Sequence, residues 1–137
     1  MTKKIVDCAA FILLKEDQIL IEKRELSKKT DPGKVAIPSG HVDPGENILG
    51  ACRREMLEEL NVKAKTLRYL TQELHDNGLY HERMHYFICT SWKGEIQSLE
   101  AEEVYWIGMK NIELLDLETD RRAISKLLKT RFLKINR

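Results

Sequence analysis

The sequence predicts an α/β fold of the α+β kind, with two main helices packed on a mixed β-sheet. Short runs rich in β-branched, aromatic and other apolar residues recur along the chain and are separated by turn residues. The proline-free stretch from Glu46 to Leu60 consists largely of good helix formers. Near the C-terminus, Ile124, Leu127 and Leu128 repeat at helical spacing within Leu117–Leu133, which predicts the second helix.

The strands are predicted from composition and from the turns between them. Lys15-Glu16-Asp17 separates the first two β-rich runs and indicates a hairpin. Asp76-Asn77-Gly78 separates two later runs, and Asn-Gly suits a type I′ hairpin turn. A polar loop is predicted over Leu26–Lys34. The predicted strands are Val6–Leu14, Gln18–Lys23, Lys34–Ile37, Ala64–Leu74, Glu82–Trp92 and Val104–Ile107.

The length and composition predict one globular domain spanning residues 1–137. Hydrophobic residues make up 42% of the chain and charged residues 33%, which supplies enough apolar side chain for a proper core. The formal net charge is +1, so global electrostatics give no case for binding nucleic acid or a membrane. The C-terminal stretch is locally basic, and we expect a solvated helix face there rather than a phosphate contact. Its basic residues are Lys126, Lys129, Arg131, Lys134 and Arg137.

The cysteines and the N-terminus favour a cytoplasmic protein. Cys8, Cys52 and Cys89 lie in apolar surroundings without CxxC or zinc-type spacing, so we expect buried free thiols in a reducing compartment. The N-terminal apolar run follows two lysines, as in a signal peptide, but Asp7 interrupts it and no long spanning segment follows. A core strand is therefore the preferred interpretation of this run.

The most informative stretch runs from Gly40 to Val62 and reads GHVDPGENILGACRREMLEELNV. On a helix, Glu55, Glu58 and Glu59 fall within roughly 100° of arc at 3.6 residues per turn. Like charges this close repel each other, and Mg²⁺, which takes carboxylate ligands, would neutralise them. The alternative is a solvated acidic face paired with neighbouring cations. An apolar stripe lies beside the glutamates and would pack on a core: Ile48, Leu49, Cys52, Met56 and Leu60.

The spacing of this stretch resembles the Nudix box, the signature of hydrolases that cleave nucleoside diphosphates linked to another group. Gly40 is followed after five residues by Glu46, and after seven more by the run Arg54–Val62. Asn61 stands where the family has Gly, and Asn is the next best residue for a left-handed helix cap. Ser39 also replaces a common family Gly. The resemblance, which is MutT-like, implies a Nudix-type α/β/α sandwich with a mixed β-sheet.

The resemblance also implies a ligand set for a metal ion. The carboxylates of Glu55, Glu58 and Glu59 would coordinate Mg²⁺ or Mn²⁺. A backbone carbonyl of Ser39 or Gly40 would add a further ligand. The implied cofactor is therefore a hard divalent cation, which suits oxygen ligands.

Other charged residues would support this metal face. Glu46 would pair with Arg54 and orient the helix that carries the ligands. Glu100, in the acidic segment SLEAEEVYWIG, would add a ligand or act as general base, and Glu103 is the second choice. The alternative interpretation of this segment is a solvated acidic loop.

The remaining candidate residues concern the substrate. Lys23 and Arg24 end an early strand and would meet substrate phosphate, although an exposed strand end is the alternative. Tyr80 would stack on a base, although an ordinary strand tyrosine is the alternative. Three histidines around the predicted hairpin raise the separate alternative of a zinc site: His75, His81 and His85.

These observations predict a Mg²⁺-dependent pyrophosphohydrolase acting on a nucleoside triphosphate or another nucleoside diphosphate derivative. Water would attack phosphorus in line, with Glu55 or Glu100 as general base. The alternatives are a dinucleoside polyphosphate hydrolase and a catalytically silent domain that binds nucleotide or RNA. Retention of Glu55, Glu58 and Glu59 favours the enzyme over the silent domain. The expected partner is a small nucleotide, with a homodimer as an open alternative.

Overall fold

The computed structural model describes residues 3–135, with side chains described as far as residue 130. Its strands are β1 (Ile5–Lys15), β2 (Gln18–Lys23), β3 (Val35–Ala36), β4 (Ser39–His41), β5 (Lys63–Ala64), β6 (Arg68–Asp76), β7 (His81–Cys89), β8 (Trp92–Lys93) and β9 (Glu103–Gly108). Its helices are α1 (Ile48–Leu60), a 3₁₀ turn (Ile112–Leu114) and α2 (Glu118–Ile135).

Strand β1 is the centre of a seven-stranded mixed sheet. The main order is β3-β2-β1-β7-β6, with β4 paired to β1 and β9 paired to β2. Strand β1 runs parallel to β7 and antiparallel to β2 and β4. A separate small ladder joins β5 to β8.

Alternate residues of β1 face two different apolar layers, as the two-residue period of a strand requires. Cys8, Ala10 and Ile12 pack in the layer that contains Ala123, Ile124 and Leu127 of α2. Ala9, Phe11 and Leu13 pack in the layer that contains Ala51, Cys52 and Met56 of α1. One helix therefore covers each face of the sheet, and the predicted α/β/α sandwich is confirmed.

The helix that carries the predicted metal ligands is capped at both ends by asparagine. The Asn47 side chain accepts a hydrogen bond from Gly50 N at 2.6 Å, so the helix begins at Ile48 rather than at Glu46. Asn61 adopts a left-handed conformation with φ of 61° and donates its N–H to Leu57 O. Asn61 thus provides the cap that its place in the box predicts.

Several boundaries differ from the sequence-based prediction. The strand predicted over Ala64–Leu74 is divided into β5 and β6, and the strand predicted over Glu82–Trp92 is divided into β7 and β8. The division arises where the N–H groups of Lys65 and Thr66 donate to Ser91 O and turn the chain into the small ladder. Strand β4 was not predicted, because Ser-Gly-His carries no β-propensity signal.

The predicted type I′ turn is wrong. Asp76 pairs with His81 across β6 and β7, so the loop contains four residues instead of two. Asn77 accepts hydrogen bonds from Leu79 N and Tyr80 N through its side-chain oxygen, both at 3.0 Å. The asparagine closes the turn with its side chain, which competes with the backbone geometry of a type I′ turn.

The other fold-level expectations have mixed outcomes. Cys8, Cys52 and Cys89 are buried free thiols, as predicted. Arg137 and the side chains of Arg131 and Lys134 lie outside the described part of the basic C-terminal stretch. Among residues 3–135, no helix is both long enough and apolar enough to span a membrane.

Candidate active site

An acidic pocket of about 290 Å³ lies where α1, β2 and β4 meet. Six of its twelve lining residues are glutamates, which would repel each other strongly in an enclosed space. The glutamates are Glu22, Glu55, Glu58, Glu59, Glu82 and Glu100. Arg24 and Lys28 bring positive charge to the same lining.

Three carboxylates converge inside this pocket. One oxygen each from Glu55, Glu59 and Glu100 lies within 4.8 Å of the other two. Glu55 and Glu59 are buried on α1, whereas Glu100 reaches the pocket from an exposed loop before β9. Glu58 is exposed and lies at the rim, with its Oε2 held 3.1 Å from Arg54 Nη1.

Gly40 permits the close approach of β4 to α1. A Cβ atom at this position would overlap the carboxyl carbon and Oε2 of Glu55. Any other residue would therefore displace the Glu55 carboxylate or the strand. The requirement for Gly here comes from the missing side chain rather than from an unusual backbone angle.

Arg54 ties the helix to the loop that precedes it. Its Nε and Nη2 donate to the two oxygens of Glu46 at 2.7 and 2.9 Å, which is a bidentate pair. Its Nη1 donates to Glu55 Oε1 at 2.8 Å, and its Nη2 donates to His41 O at 3.0 Å. These hydrogen bonds lower the pKa of Glu46 to about 2 and fix the Glu55 carboxylate.

Two buried carboxylates face the pocket with an oxygen that lacks a partner. Glu22 and Glu59 are only 5% and 7% exposed, and no described residue hydrogen-bonds to Glu22 Oε1 or Glu59 Oε2. Burial raises the pKa of Glu22 to about 7. Burial, followed by the charges of Glu22 and Glu55, raises the pKa of Glu59. Both carboxyl groups are therefore harder to ionise than a carboxyl group in water.

A family model described as the NUDIX domain matches residues 4–128. This chain belongs to the Nudix family. The membership confirms the prediction of a Nudix pyrophosphohydrolase.

Three of the curated proteins to which the chain is similar are named 8-oxo-dGTP diphosphatase. The one from Buchnera aphidicola subsp. Schizaphis graminum is 27% identical over 130 residues, which cover 90% of this chain and 93% of the relative. The one from Haemophilus influenzae is 29% identical over 113 residues, which cover 78% and 79%. The chain is thus similar to these relatives over most of their length.

A solved structure supports the Nudix fold. The MutT protein from Methanosarcina mazei Go1 matches with a TM-score of 0.85 at 18% identity, covering 96% of this chain and 98% of that chain. At this identity the likeness concerns the fold alone.

The basic residues predicted to meet phosphate lie in different places. Arg24 lines the Nudix pocket, but its guanidinium also donates to the carbonyl oxygens of Thr30 and Asp31, the former at 2.8 Å. It therefore holds the loop between β2 and β3. Lys23 is not part of the pocket lining, and its Nζ lies 3.9 Å from Glu102 Oε2.

Two other predicted substrate residues also lie outside the lining of this pocket. The Tyr80 hydroxyl is 3.2 Å from His41 Nε2 and borders a neighbouring groove. Glu103 is exposed at the start of β9, opposite Lys23 in the strand register. Their contact with substrate stays a prediction.

The three histidines predicted as a zinc alternative do not form one cluster. His75 Nε2 lies 2.9 Å from Asp31 Oδ2, and His85 Nε2 lies 3.0 Å from Asp7 Oδ1. His81 Nε2 lies 3.5 Å from Asp76 Oδ2. Each histidine is therefore paired with a different carboxylate.

Sequence reasoning missed Glu22 and Lys28. For Glu22 a signal was present, because Leu20 and Glu22 share one face of β2 by strand parity. Leu20 packs in the layer beneath α1, so the next residue on that face points toward the same helix. A glutamate at such a position is expected to need a partner.

Proposed function

We propose that this Nudix chain is a Mg²⁺-dependent nucleoside triphosphate pyrophosphohydrolase, with 8-oxo-dGTP as the first substrate to test. The convergence of Glu55, Glu59 and Glu100 carries the reaction class. Similarity to 8-oxo-dGTP diphosphatases suggests the substrate.

The described residues fit a hard divalent cation. Mg²⁺ and Mn²⁺ prefer oxygen ligands, and the pocket lining offers several carboxylates and includes Ser39 and Gly40 of β4. One oxygen each of Glu22 and Glu59 is buried without a hydrogen-bond partner among the described residues, and a cation would supply that partner. Glu55, Glu58, Glu59 and Glu100 would hold it, with a carbonyl of Ser39 or Gly40.

The chain's own residues then have separate tasks. When bound, the cation supplies charge neutralisation for the diphosphate and activation of water. Arg54 fixes Glu55 and Glu58 while Glu46 fixes Arg54, so the ligands are oriented before substrate arrives. Arg24 and Lys28 place positive charge on the wall that would receive the phosphates.

Glu55 and Glu100 are the two candidates for general base. Glu55 is buried, and its carboxylate is held in place by a hydrogen bond from Arg54. Glu100 is exposed on a loop and is the better placed of the two to exchange its proton with solvent. A pH–rate profile whose rise on the acid side is lost in Glu100→Gln and kept in Glu55→Gln would assign the base to Glu100.

The substrate proposal is tested with the full chain, Mg²⁺ and a panel of nucleotides. The panel contains 8-oxo-dGTP, dGTP, the other nucleoside triphosphates, a dinucleoside polyphosphate and a nucleotide sugar. We expect Mg²⁺-dependent release of monophosphate and pyrophosphate, with the highest kcat/KM for 8-oxo-dGTP. Nucleotide binding without hydrolysis of any compound would instead support a catalytically silent domain.

A matched pair of variants ties the activity to the pocket. Glu58→Gln should lower turnover strongly with the fold intact, because Glu58 is exposed and the amide keeps its shape. Glu95→Gln makes the same change at an exposed glutamate outside the pocket lining and should keep full activity. Equal activity in both variants would show that the ligand set is wrong.

A further inference from the structure

Glu22 is a buried carboxylate outside the Nudix box. It lies near the end of β2, 5% exposed, and lines the acidic pocket from the sheet side. Its Oε1 has no hydrogen-bond partner among the described residues. Nearby Arg24 donates its guanidinium to the carbonyl oxygens of Thr30 and Asp31. A carboxylate buried in this way costs free energy unless a ligand completes it.

Glu59 faces the same space from the opposite wall. It lies on α1 at 7% exposure, and its Oε2 also lacks a hydrogen-bond partner among the described residues. Glu22 is the neighbouring charge that acts most strongly on the Glu59 carboxylate. A sheet residue and a helix residue thus present unpartnered oxygens to one pocket.

We propose that Glu22 and Glu59 form an inner divalent-cation site, in which Glu22 is a ligand for Mg²⁺ or Mn²⁺. This proposal rests on the proposed function in one respect, because both place a divalent cation in the same pocket. Buried carboxylate oxygens without a hydrogen-bond partner among the described residues, here one each from Glu22 and Glu59, are donors that hard cations select. Glu55 and Glu58 differ, because each has an oxygen that accepts a hydrogen bond from Arg54 Nη1.

This arrangement predicts opposite effects of one substitution with and without metal. In the metal-free protein at pH 8, Glu22→Gln removes a buried carboxylate whose Oε1 has no hydrogen-bond partner among the described residues, so the unfolding temperature should rise. In Mn²⁺ the same variant loses a ligand, so the rise in unfolding temperature that Mn²⁺ causes should shrink. A glutamate that only supports packing would not produce both effects.

The direct measurement is Mn²⁺ binding to the full chain, by calorimetry and by electron paramagnetic resonance. We expect Glu22→Gln to bind one ion fewer, or to bind Mn²⁺ at least roughly tenfold more weakly, while the control Glu95→Gln matches wild type. Glu22→Asp keeps the charge on a shorter side chain and should also weaken binding. This second variant decides the matter if Glu22→Gln fails to fold.

The outcomes separate this proposal from the proposed function. Unchanged Mn²⁺ number and affinity in the Glu22 variants would overturn the inner site and leave the hydrolase untouched. Weakened binding in a protein that hydrolyses no nucleotide would support the inner site and overturn the function. A wild-type chain that binds no Mn²⁺ would overturn both.

Discussion

Two sets of buried carboxylates lie on opposite faces of the sheet and differ in their partners. Asp120 on α2 is fully buried, but its oxygens accept hydrogen bonds from Tyr86 Oη at 2.6 Å and Ile37 N at 3.0 Å. Glu22 on β2 and Glu59 on α1 are nearly as buried, and each has an oxygen without a hydrogen-bond partner among the described residues. Where the protein supplies the donors, as at Asp120, the hydrogen bonds connect α2 to β7 and to the segment that follows β3. Where the described residues supply no donor, as for one oxygen each of Glu22 and Glu59, we propose a cation as the partner.

The largest expected effect comes from removing an unpartnered charge. Glu59→Gln keeps the side-chain shape and removes the anionic oxygen. Turnover with Mg²⁺ should fall by at least roughly 100-fold, the upper end for residues that merely support a metal ligand. In chelator at neutral pH, the variant should be more stable than wild type, because burial raises the pKa of Glu59 and folding of the wild type therefore requires proton uptake, which Gln avoids.

The measurements are kcat with a saturating nucleotide and urea unfolding in chelator. Wild-type turnover in Glu59→Gln would contradict the claim that the Glu59 carboxylate binds a cation needed for the reaction. The claim also fails if the variant is less stable without metal, because the Glu59 carboxylate would then serve packing.

Some residues of the site can be grouped from the sequence alone, whereas others come together only through the fold. Glu55, Glu58 and Glu59 were found because they are close in the sequence and a helix fixes their relative positions. Glu22 is distant in the sequence, and only the packing of β2 against α1 brings it to the same pocket. Strand parity signals that Glu22 is buried but not what it faces.

The same division holds for the rest of the fold. The long strands and both helices follow from periodicity, because each repeats one local pattern many times. Strand β4 contains three residues and exists because it pairs with β1, which no local pattern encodes. Arg24 has the charge expected of a phosphate contact, but it also donates hydrogen bonds to the carbonyl oxygens of Thr30 and Asp31. These hydrogen bonds depend on the conformation of the loop, which no local sequence pattern predicts.

The next effect tests charges that already have partners. Arg54→Lys keeps the positive charge but loses the bidentate pair with Glu46, because an ammonium cannot match a planar fork. Turnover should fall roughly 10- to 100-fold. Stability should change little, because the pairs of Arg54 are partly exposed.

Arg53→Lys is the matched control on the same helix. Arg53 donates to Ala64 O at 2.9 Å, outside the pocket lining, so the control should keep its activity. Steady-state kinetics and Mn²⁺ affinity of the two variants provide the check. Equal kinetics would mean that Arg54 does not orient the ligands.

Asp120→Asn makes the carboxylate-to-amide change on the other face of the sheet. The amide can accept only through one oxygen, so the bond from Tyr86 or from Ile37 N is lost. We expect a loss of stability on the order of 2 kcal/mol, with unchanged turnover per folded molecule. The urea midpoint at pH 8 tests this, and an unchanged midpoint would show that the two hydrogen bonds give no net stabilisation.

The smallest expected effect concerns the ion pair between His75 and Asp31, which joins β6 to the loop between β2 and β3. The hydrogen bond to Asp31 raises the pKa of His75 above its usual 6.5, although partial burial opposes this. The folded state therefore binds the proton more tightly than the unfolded state does. The stabilisation is fully present below pH 6.5 and is lost as the pH rises through the folded-state pKa.

Asp31→Asn isolates this pair, because Asp31 has a φ of 47° and Asn tolerates the left-handed region. Urea unfolding in chelator at several pH values from 5.5 to 8.5 should show that wild type exceeds the variant by up to about 1 kcal/mol at acidic pH, with the difference vanishing at alkaline pH. His41 also has a raised pKa, owing to Glu82, and contributes equally to both proteins. A difference that stays constant across the range would show that Asp31 stabilises the loop without the charge on His75.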